Sequence, residues 1–193
     1  MGVVMGNAAF FVIPYQSGFN FSMLATAQHS HTLSMTVLMT PDMTNFSGKV
    51  HGGAFLRLLD QVAYSCASRY AGHYVVTVSV DRVTFLEPIH VGELVTFHAA
   101  VNYTGQSSME IGIRAVAENI RKRTSRHVTS CFFTMVALNE EGEAVRVTPF
   151  VPNSVEEKRR FAAAQIRRQL RQEMDSRAAA LMASFVSEDS DHY

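Results

Sequence analysis

The stretch "NFSGKVHGGAFLRLLDQ" places three kinds of chemically useful group close together in the sequence. Asn45 lies among turn-forming residues, Gly52 and Gly53 stand where a helix is predicted to begin, and Asp60 lies two turns inside that helix. The unpaired N–H groups at a helix amino terminus favour negative charge, so they could stabilise a carbonyl oxygen that becomes an oxyanion. A nearby carboxylate could activate water or attack the carbonyl. The spacing is therefore compatible with chemistry at a carbonyl group.

Each of these groups also has a structural explanation that the local sequence leaves open. The two glycines could serve only the close packing of the helix against a sheet. Asp60 stands in an apolar stretch, where burial would raise its pKa unless a partner compensates. Arg57, one turn back, could supply an ion pair, and Tyr64 or Ser65 could donate a hydrogen bond. Asn45 could simply close an Asx turn.

The spacing of the histidines and the absence of standard sequence motifs limit the reactions that the sequence predicts. His51 could form an acid–base pair with Asp60, but a single histidine at a strand–helix junction is more often a packing or hydrogen-bonding residue. His90, His98 and His127 lack metal-ligand spacing, so no metal site is predicted. The chain has no Gly-x-Ser-x-Gly elbow, Walker loop or Gly-x-Gly-x-x-Gly motif.

The elements around Asp60 predict how these groups are positioned. The helix runs from about Gly53 to Tyr70, is apolar on nearly every side, and is followed by Gly72, a plausible C′ residue. Strand patterns precede it at 33–40 and follow it at 75–86, 93–103, 109–117 and 127–138. Consecutive strands with short links form antiparallel sheets, and a helix that is apolar all round must be covered on most sides. We predict an α+β hotdog fold: a curved antiparallel sheet around a long central helix, with a second copy of the chain covering the rest.

Composition and charge limit the class of protein. The 193 residues suffice for one domain with a substantial core. Basic and acidic residues balance at 17 each, so net charge indicates neither nucleic acid nor an anionic membrane as a partner. Cys66 and Cys131 lie in apolar runs and are typical of reduced packing residues, which favours a cytoplasmic location.

Two segments flank the predicted fold of residues 31–150. Residues 1–30 are expected to be a disordered extension; the alternative is that translation starts later, at Met23 or Met35. They lack the basic region of a secretory signal, and their longest apolar run is far shorter than the roughly 18 residues of a membrane span, so no membrane insertion is expected. Residues 151–193 are expected to form a basic helix and tail.

The carboxy-terminal helix has a clear start signal. Ser154 and Glu157 form a capping-box sequence, and the helix is predicted to continue to about Phe185. Its apolar stripe is sparse and comprises Phe161, Ile166, Leu170 and Met174. We expect this helix to rest on a neighbouring subunit; a docking face for a polyanionic ligand is the alternative.

Three segments resemble the acyl-coenzyme A thioesterases of the hotdog superfamily, from about residue 33 to residue 149. They are "PDMTNFSGKVHGGAFLRLLDQVAYSCASRYAG", "VTVSVDRVTFLEPIHVGELVTFHAAVNYTGQSSMEIGIRA" and "TSCFFTMVAL". The likeness is strongest to the hexameric branch that includes the brain-type acyl-CoA hydrolase and bacterial single-domain relatives. It implies hydrolysis of fatty acyl-CoA to free fatty acid and coenzyme A, with coenzyme A entering as part of the substrate and no separate cofactor.

The resemblance also implies roles for particular residues. Asn45 and Asp60, from opposite subunits, would form the catalytic pair, with Asp60 acting as general base or nucleophile and Asn45 orienting water or substrate. Gly53 would direct its backbone N–H at the thioester carbonyl. The protein would then be a homodimer with shared active sites, assembled as a trimer of dimers.

Substrate contacts are expected from residues near the glycine pair and from one turn: His51, Gly52, Arg82, Gln106, Ser107 and Ser108, with Arg114 as a further candidate. Two positions depart from the family pattern. Met43 stands where relatives often have aspartate, which affects the hydrogen bonds of the loop. Gln106 stands where many have arginine, which removes a possible phosphate contact.

Two rival functions follow from the same residues. A hotdog hydratase or dehydratase would use His51 and Asp60 as its acid–base pair and would release no thiol. A non-catalytic acyl-CoA sensor would bind its ligand unchanged and use the basic helix as its output surface.

Overall fold

A computed structural model describes residues 30–190, so all but the last residue of the predicted amino-terminal extension, and the last three residues of the chain, lie outside the described part. The elements in chain order are β1 (Thr32–Leu38), α1 (Gly52–Ala71), β2 (Tyr74–Phe85), β3 (Leu94–Thr104), β4 (Ser108–Asn119), β5 (Thr124–Leu138) and α2 (Val155–Ser190). The predicted order of one strand, one helix, four strands and a final helix is confirmed.

The five strands form one antiparallel sheet in the order β1-β3-β4-β5-β2. Alternate residues of β3, such as Val95 and Phe97, are fully buried, and so are Ile111 of β4 and Cys131 of β5. These side chains form one core with α1, which contacts all five strands. The sheet thus wraps around a central helix in the hotdog arrangement that the sequence predicted.

Helix α1 is held by a stripe of buried side chains at helical spacing. Phe55, Leu59, Val62 and Cys66 are each at most 1% exposed. The helix ends because Gly72 adopts φ 68°, a left-handed conformation that glycine takes without steric cost. The predicted bounds therefore differ from the observed ones by one residue at each end.

One side of α1 and the adjoining strand remain uncovered within a single chain. Leu56, Asp60 and Tyr64 lie one turn apart on an exposed stripe of α1. Strand β2 is at the edge of the sheet, and its Val78 is 62% exposed. An unpaired edge strand with apolar side chains is a typical pairing surface for another chain.

Helix α2 begins with the capping box that the sequence predicted. The Glu157 N–H donates to Ser154 Oγ over 3.1 Å, and the Ser154 N–H donates to Glu157 Oε2 over 3.0 Å. The helix continues to Ser190, beyond the predicted end near Phe185, and no glycine or proline interrupts it.

The first half of α2 packs on its own sheet, on the face opposite α1, a contact that the sequence did not predict. The expected contact of α2 with a neighbouring subunit stays a prediction. Phe161 lies 5.2 Å from the Tyr103 ring between centroids, and Arg167 stacks on Phe132. The predicted stripe beyond Phe161 is exposed in the single chain, because Ile166, Leu170 and Met174 point away from the sheet.

Within residues 30–190, every helix lacks the combination of length and apolar composition that a membrane-spanning helix needs.

Candidate active site

Asp60 is held by a partner on the neighbouring strand. Its Oδ1 accepts a hydrogen bond of 2.6 Å from the Thr77 hydroxyl of β2. The partners that we considered from the sequence do not contact it: within the described residues Arg57 makes no ion pair with it, and the Ser65 hydroxyl donates to the Gln61 carbonyl instead. The expected burial of Asp60 is also absent in the single chain, where its side chain is exposed.

Thr77 is the functional candidate that sequence reasoning missed. It lies two residues after the buried Val75, on the α1-facing side of β2, and next to an irregularity in the pairing of β2 with β5. Its hydroxyl also lies 3.4 Å from the Met135 sulfur. The available signal was a hydroxyl at an inward-facing position of a valine-rich strand, but only the tertiary structure shows that it reaches the carboxylate.

Asn45 is pinned in the loop between β1 and α1. Its Oδ1 accepts hydrogen bonds from the Ser47 N–H (2.9 Å), the Ser47 hydroxyl (2.8 Å) and the Lys49 N–H (3.2 Å). The Asx-turn interpretation is therefore confirmed for the carboxamide oxygen. The Nδ2 group makes no hydrogen bond within residues 30–190, so it remains available as a donor. Asn45 and Asp60 of the same chain are likewise not hydrogen-bonded to each other.

The segment behind this loop is fixed by a buried ion pair. The Val50 N–H donates to the Ile89 carbonyl, and the segment around Ile89 is held by Glu93. Glu93 is 3% exposed and accepts two 2.8 Å hydrogen bonds from Arg126. The hydrogen bond from Arg126 holds the pKa of Glu93 below its usual value, against the raising effect of burial. This pair therefore supports the position of the Asn45 loop.

The amino terminus of α1 is capped by a side chain. His51 Nδ1 accepts a 2.9 Å hydrogen bond from the Gly53 N–H, the group expected to face a substrate carbonyl. A Cβ atom at position 53 would come within 3.1 Å of that ring nitrogen, so glycine keeps room for the cap. A Cβ at Gly52 would meet the Phe85 ring at 3.7 Å. In this structure the Gly53 N–H therefore already has a hydrogen-bond acceptor, His51 Nδ1.

The other residues that were predicted to contact the substrate lie in separate parts of the fold. His51 serves as the cap of α1 and makes no hydrogen bond with Asp60, so the acid–base pair of the rival hydratase is not formed in a single chain. Arg82 lies on β2 with φ 29° and is exposed. Arg114 lies on the outer face of the sheet, opposite α1. The turn of Gln106, Ser107 and Ser108 lies at the end of the sheet that also carries Thr77, since Ser108 pairs with Val136 and Val136 with Val76.

An antiparallel sheet wrapped around one helix, with a helix carboxylate near the edge strand, defines the class as a hotdog protein. The profile of the Thioesterase superfamily matches residues 47–124. Protein VdlD of Helicobacter pylori is 42% identical over 157 residues, which cover 81% of this chain and 88% of that protein. The rat cytosolic acyl coenzyme A thioester hydrolase is 36% identical over 132 residues, 66% of this chain but only 34% of that longer protein.

Solved structures agree with the sequence comparisons. An apo-hexameric acyl-CoA thioesterase matches with a TM-score of 0.73 and 32% identity, over 75% of this chain and 93% of that chain. The acyl-CoA hydrolase of Staphylococcus aureus, solved with butyryl coenzyme A, coenzyme A and coenzyme A disulfide, matches with a TM-score of 0.70 and 28% identity, over 79% and 95% of the two chains. Its variants with alanine at one asparagine, one aspartate and one threonine have also been solved. The chain therefore belongs to the thioesterase superfamily and is an enzyme that cleaves thioesters.

Proposed function

We propose that this enzyme hydrolyses fatty acyl-CoA to a free fatty acid and coenzyme A, with Asp60 as the central catalytic group. The hydrogen bond from Thr77 to the Asp60 carboxylate carries the proposal. The asparagine, aspartate and threonine replaced in the S. aureus hydrolase are separated by the same intervals as Asn45, Asp60 and Thr77 here. The comparison thus supports a functional role for all three side chains.

The two oxygens of the Asp60 carboxylate would have different roles. Oδ1 is occupied by the Thr77 hydroxyl, so the other oxygen, Oδ2, is free to accept a proton from water. The water oxygen would then bond to the thioester carbon, the carbonyl oxygen would take the negative charge, and the carbon–sulfur bond would break as coenzyme A leaves as a thiolate. In the alternative course Oδ2 itself attacks the carbon, and water cleaves the resulting anhydride.

Two further groups complete the proposed site. The Asn45 Nδ2, which has no acceptor within residues 30–190, would hold the water or the carbonyl in the site of a second subunit, while its oxygen stays fixed by the Asx turn. The Gly53 N–H would stabilise the oxyanion after the substrate carbonyl replaces His51 Nδ1 as its acceptor. Neither role uses a metal or a separate cofactor.

The proposed assembly is a homodimer with shared active sites, built into a trimer of dimers. It is supported by the exposed side of α1 that carries Asp60, by the exposed apolar side chains of the β2 edge, and by the hexameric state of the solved relative. A cytosolic location is proposed because the rat relative is a cytosolic hydrolase. The buried free thiols of Cys66 and Cys131 agree, and burial raises the pKa of each to about 12.

The deciding experiment is Asp60→Asn, assayed by thiol release from a panel of short to long acyl-CoAs. A lost general base or nucleophile should reduce kcat by about a hundred- to ten-thousandfold. Because Asp60 is exposed and makes no ion pair within the described residues, the melting temperature and assembly should stay unchanged. Normal turnover by a folded variant would refute the catalytic role of Asp60.

The unmodified enzyme distinguishes the two rival functions. Water addition to an enoyl-CoA without thiol release would favour the hydratase, and an acyl-CoA left unchanged over hours would favour the sensor.

A further inference from the structure

A cavity of about 600 Å³ lies between the first turns of α2 and the face of the sheet opposite α1. It exists because the residues that meet there are small: Ala100 and Gly112 are paired on β3 and β4, and Ala163 faces them from the helix. Its volume is in the range of small-molecule sites. Asp60 and Thr77 belong to the other side of the sheet, so this cavity is not part of the site proposed above.

The lining of the cavity is strongly basic. Four arginines line it: Arg114 from the sheet and Arg159, Arg160 and Arg167 from α2. Glu156 is the single acidic residue among the described lining residues, and Arg159 binds it at 3.0 and 2.7 Å. Arg167 is bound to the buried Glu110 at 2.6 Å.

Two guanidinium groups are therefore in excess. Arg114 makes no ion pair within the described residues, and Arg160 lies 3.9 Å from the already bound Glu156 carboxylate. His98, next to Arg114 on the sheet, accepts or donates one hydrogen bond with Ser34. The positive excess favours a ligand with two negative charges.

We propose that this cavity binds a small phosphate monoester, either a sugar phosphate or a mononucleotide. The phosphate dianion lies between Arg114 and Arg160, the two arginines that are left in excess. The Phe132 ring, fixed by Arg167 stacked at 3.6 Å, supplies an apolar wall for the body of the ligand.

The test is titration calorimetry of the full chain with ribose 5-phosphate, adenosine monophosphate and inorganic phosphate. We expect saturable binding of at least one ester, and weaker binding of inorganic phosphate, which leaves most of the cavity of about 600 Å³ unfilled. The variants Arg114→Gln and Arg160→Gln should each weaken ester binding about ten- to a hundredfold, as expected for a lost charge-assisted hydrogen bond. Arg121→Gln, an exposed arginine in the turn between β4 and β5, is the matched control and should not change it.

A larger side chain at position 163 would fill the cavity without changing the charge of its lining. Ala163→Leu should abolish ester binding while circular dichroism stays unchanged, because leucine is also a good helix former. The two ester probes distinguish the sources: binding of both indicates the sugar phosphate unit, and binding of adenosine monophosphate alone indicates a nucleotide.

Three results would overturn the assignment. These are no saturable binding of either ester, an affinity for inorganic phosphate equal to that of the esters, and displacement of the ester by saturating coenzyme A. The last result would place the ester in the substrate site. Asp60→Asn should bind the ester normally, so failure of this proposal can be told apart from failure of the proposed hydrolysis.

Discussion

At the scale of single residues, the Asp60 carboxylate depends on one hydroxyl for its orientation. Thr77 donates to Oδ1, which restrains the rotation of the carboxylate and leaves Oδ2 for the proposed chemistry. Since α1 and β2 are joined by a tight turn at Gly72, this contact links two rigid elements that follow each other in the chain.

Thr77→Ala should therefore lower kcat without unfolding the enzyme. Loss of a hydrogen bond to a charged group corresponds to about 1.5–3 kcal/mol, or about ten- to a hundredfold in rate. Steady-state thiol release measures the loss. Thr77→Ser keeps the hydroxyl and should recover most of the activity, whereas an equally slow serine variant would indicate that the threonine methyl group, not the hydrogen bond, is what matters.

At the scale of elements, two polar clusters hold secondary structure in place. Glu157 closes the amino terminus of α2 and also lies 3.1 Å from His31, just before β1. Glu93 and Arg126 join the start of β3 to β5 beneath the Asn45 loop. Both clusters join parts of the chain that are distant in sequence.

Glu157 makes a testable contribution to acid stability. Hydrogen bonds from the backbone N–H groups of Ser154 and Asn153 lower the pKa of Glu157 from 4.5 to about 2. Because the folded pKa is the lower one, the stabilisation is complete above about pH 4.5 and is lost as the pH falls toward 2. Melting temperatures measured over this range should fall less steeply for Glu157→Gln than for the unmodified chain. Parallel curves would show that the carboxylate makes no such contribution.

Arg126→Met should destabilise the whole domain. It leaves the Glu93 carboxylate, 3% exposed, without its guanidinium partner, and such losses cost about 3 kcal/mol or more. Urea denaturation measures the free energy of unfolding. The double variant with Glu93→Gln should recover part of the loss, because no buried charge then remains unpaired. An unchanged midpoint for Arg126→Met would contradict this interpretation.

At the scale of the whole molecule, the exposed surface of a single chain contains the candidate site. Asp60 and the apolar side chains of the β2 edge lie on surface that the chain does not cover itself, and Asn45 is only half-buried. A second copy placed there would exclude water from the carboxylate, which the single chain leaves exposed, and would bring in the Asn45 that the resemblance implies.

Mixing inactive variants tests this arrangement. In a heterodimer of Asn45→Ala and Asp60→Asn, one site has both functional groups and the other has neither. After complete exchange of equal amounts, half of the dimers are mixed, so thiol release should recover to about a quarter of the unmodified level. No recovery after exchange verified by mass spectrometry would mean that each site draws on a single subunit.

The sequence predicted the fold well because its signals are local or periodic. Alternating side chains marked the strands, the apolar helix required a covering sheet, and Ser154 with Glu157 marked the start of α2. The packing of α2 was not predictable in the same way. The sequence predicted only a basic helix there, whereas in the structure Arg167 and Arg168 bind Glu110 and Tyr103, about sixty residues away in sequence.

By itself, the sequence determined the element order, the helix that carries Asp60, the turn at Asn45 and the resemblance to acyl-CoA thioesterases, since residue type and short spacing encode these features. Only the tertiary structure decided that Thr77 binds Asp60, that His51 accepts the Gly53 N–H, and that a basic cavity lies between α2 and the sheet. Those contacts depend on strand register and side-chain direction. Such long-range geometry is fixed by the packing of the whole core and leaves no periodic trace in the chain.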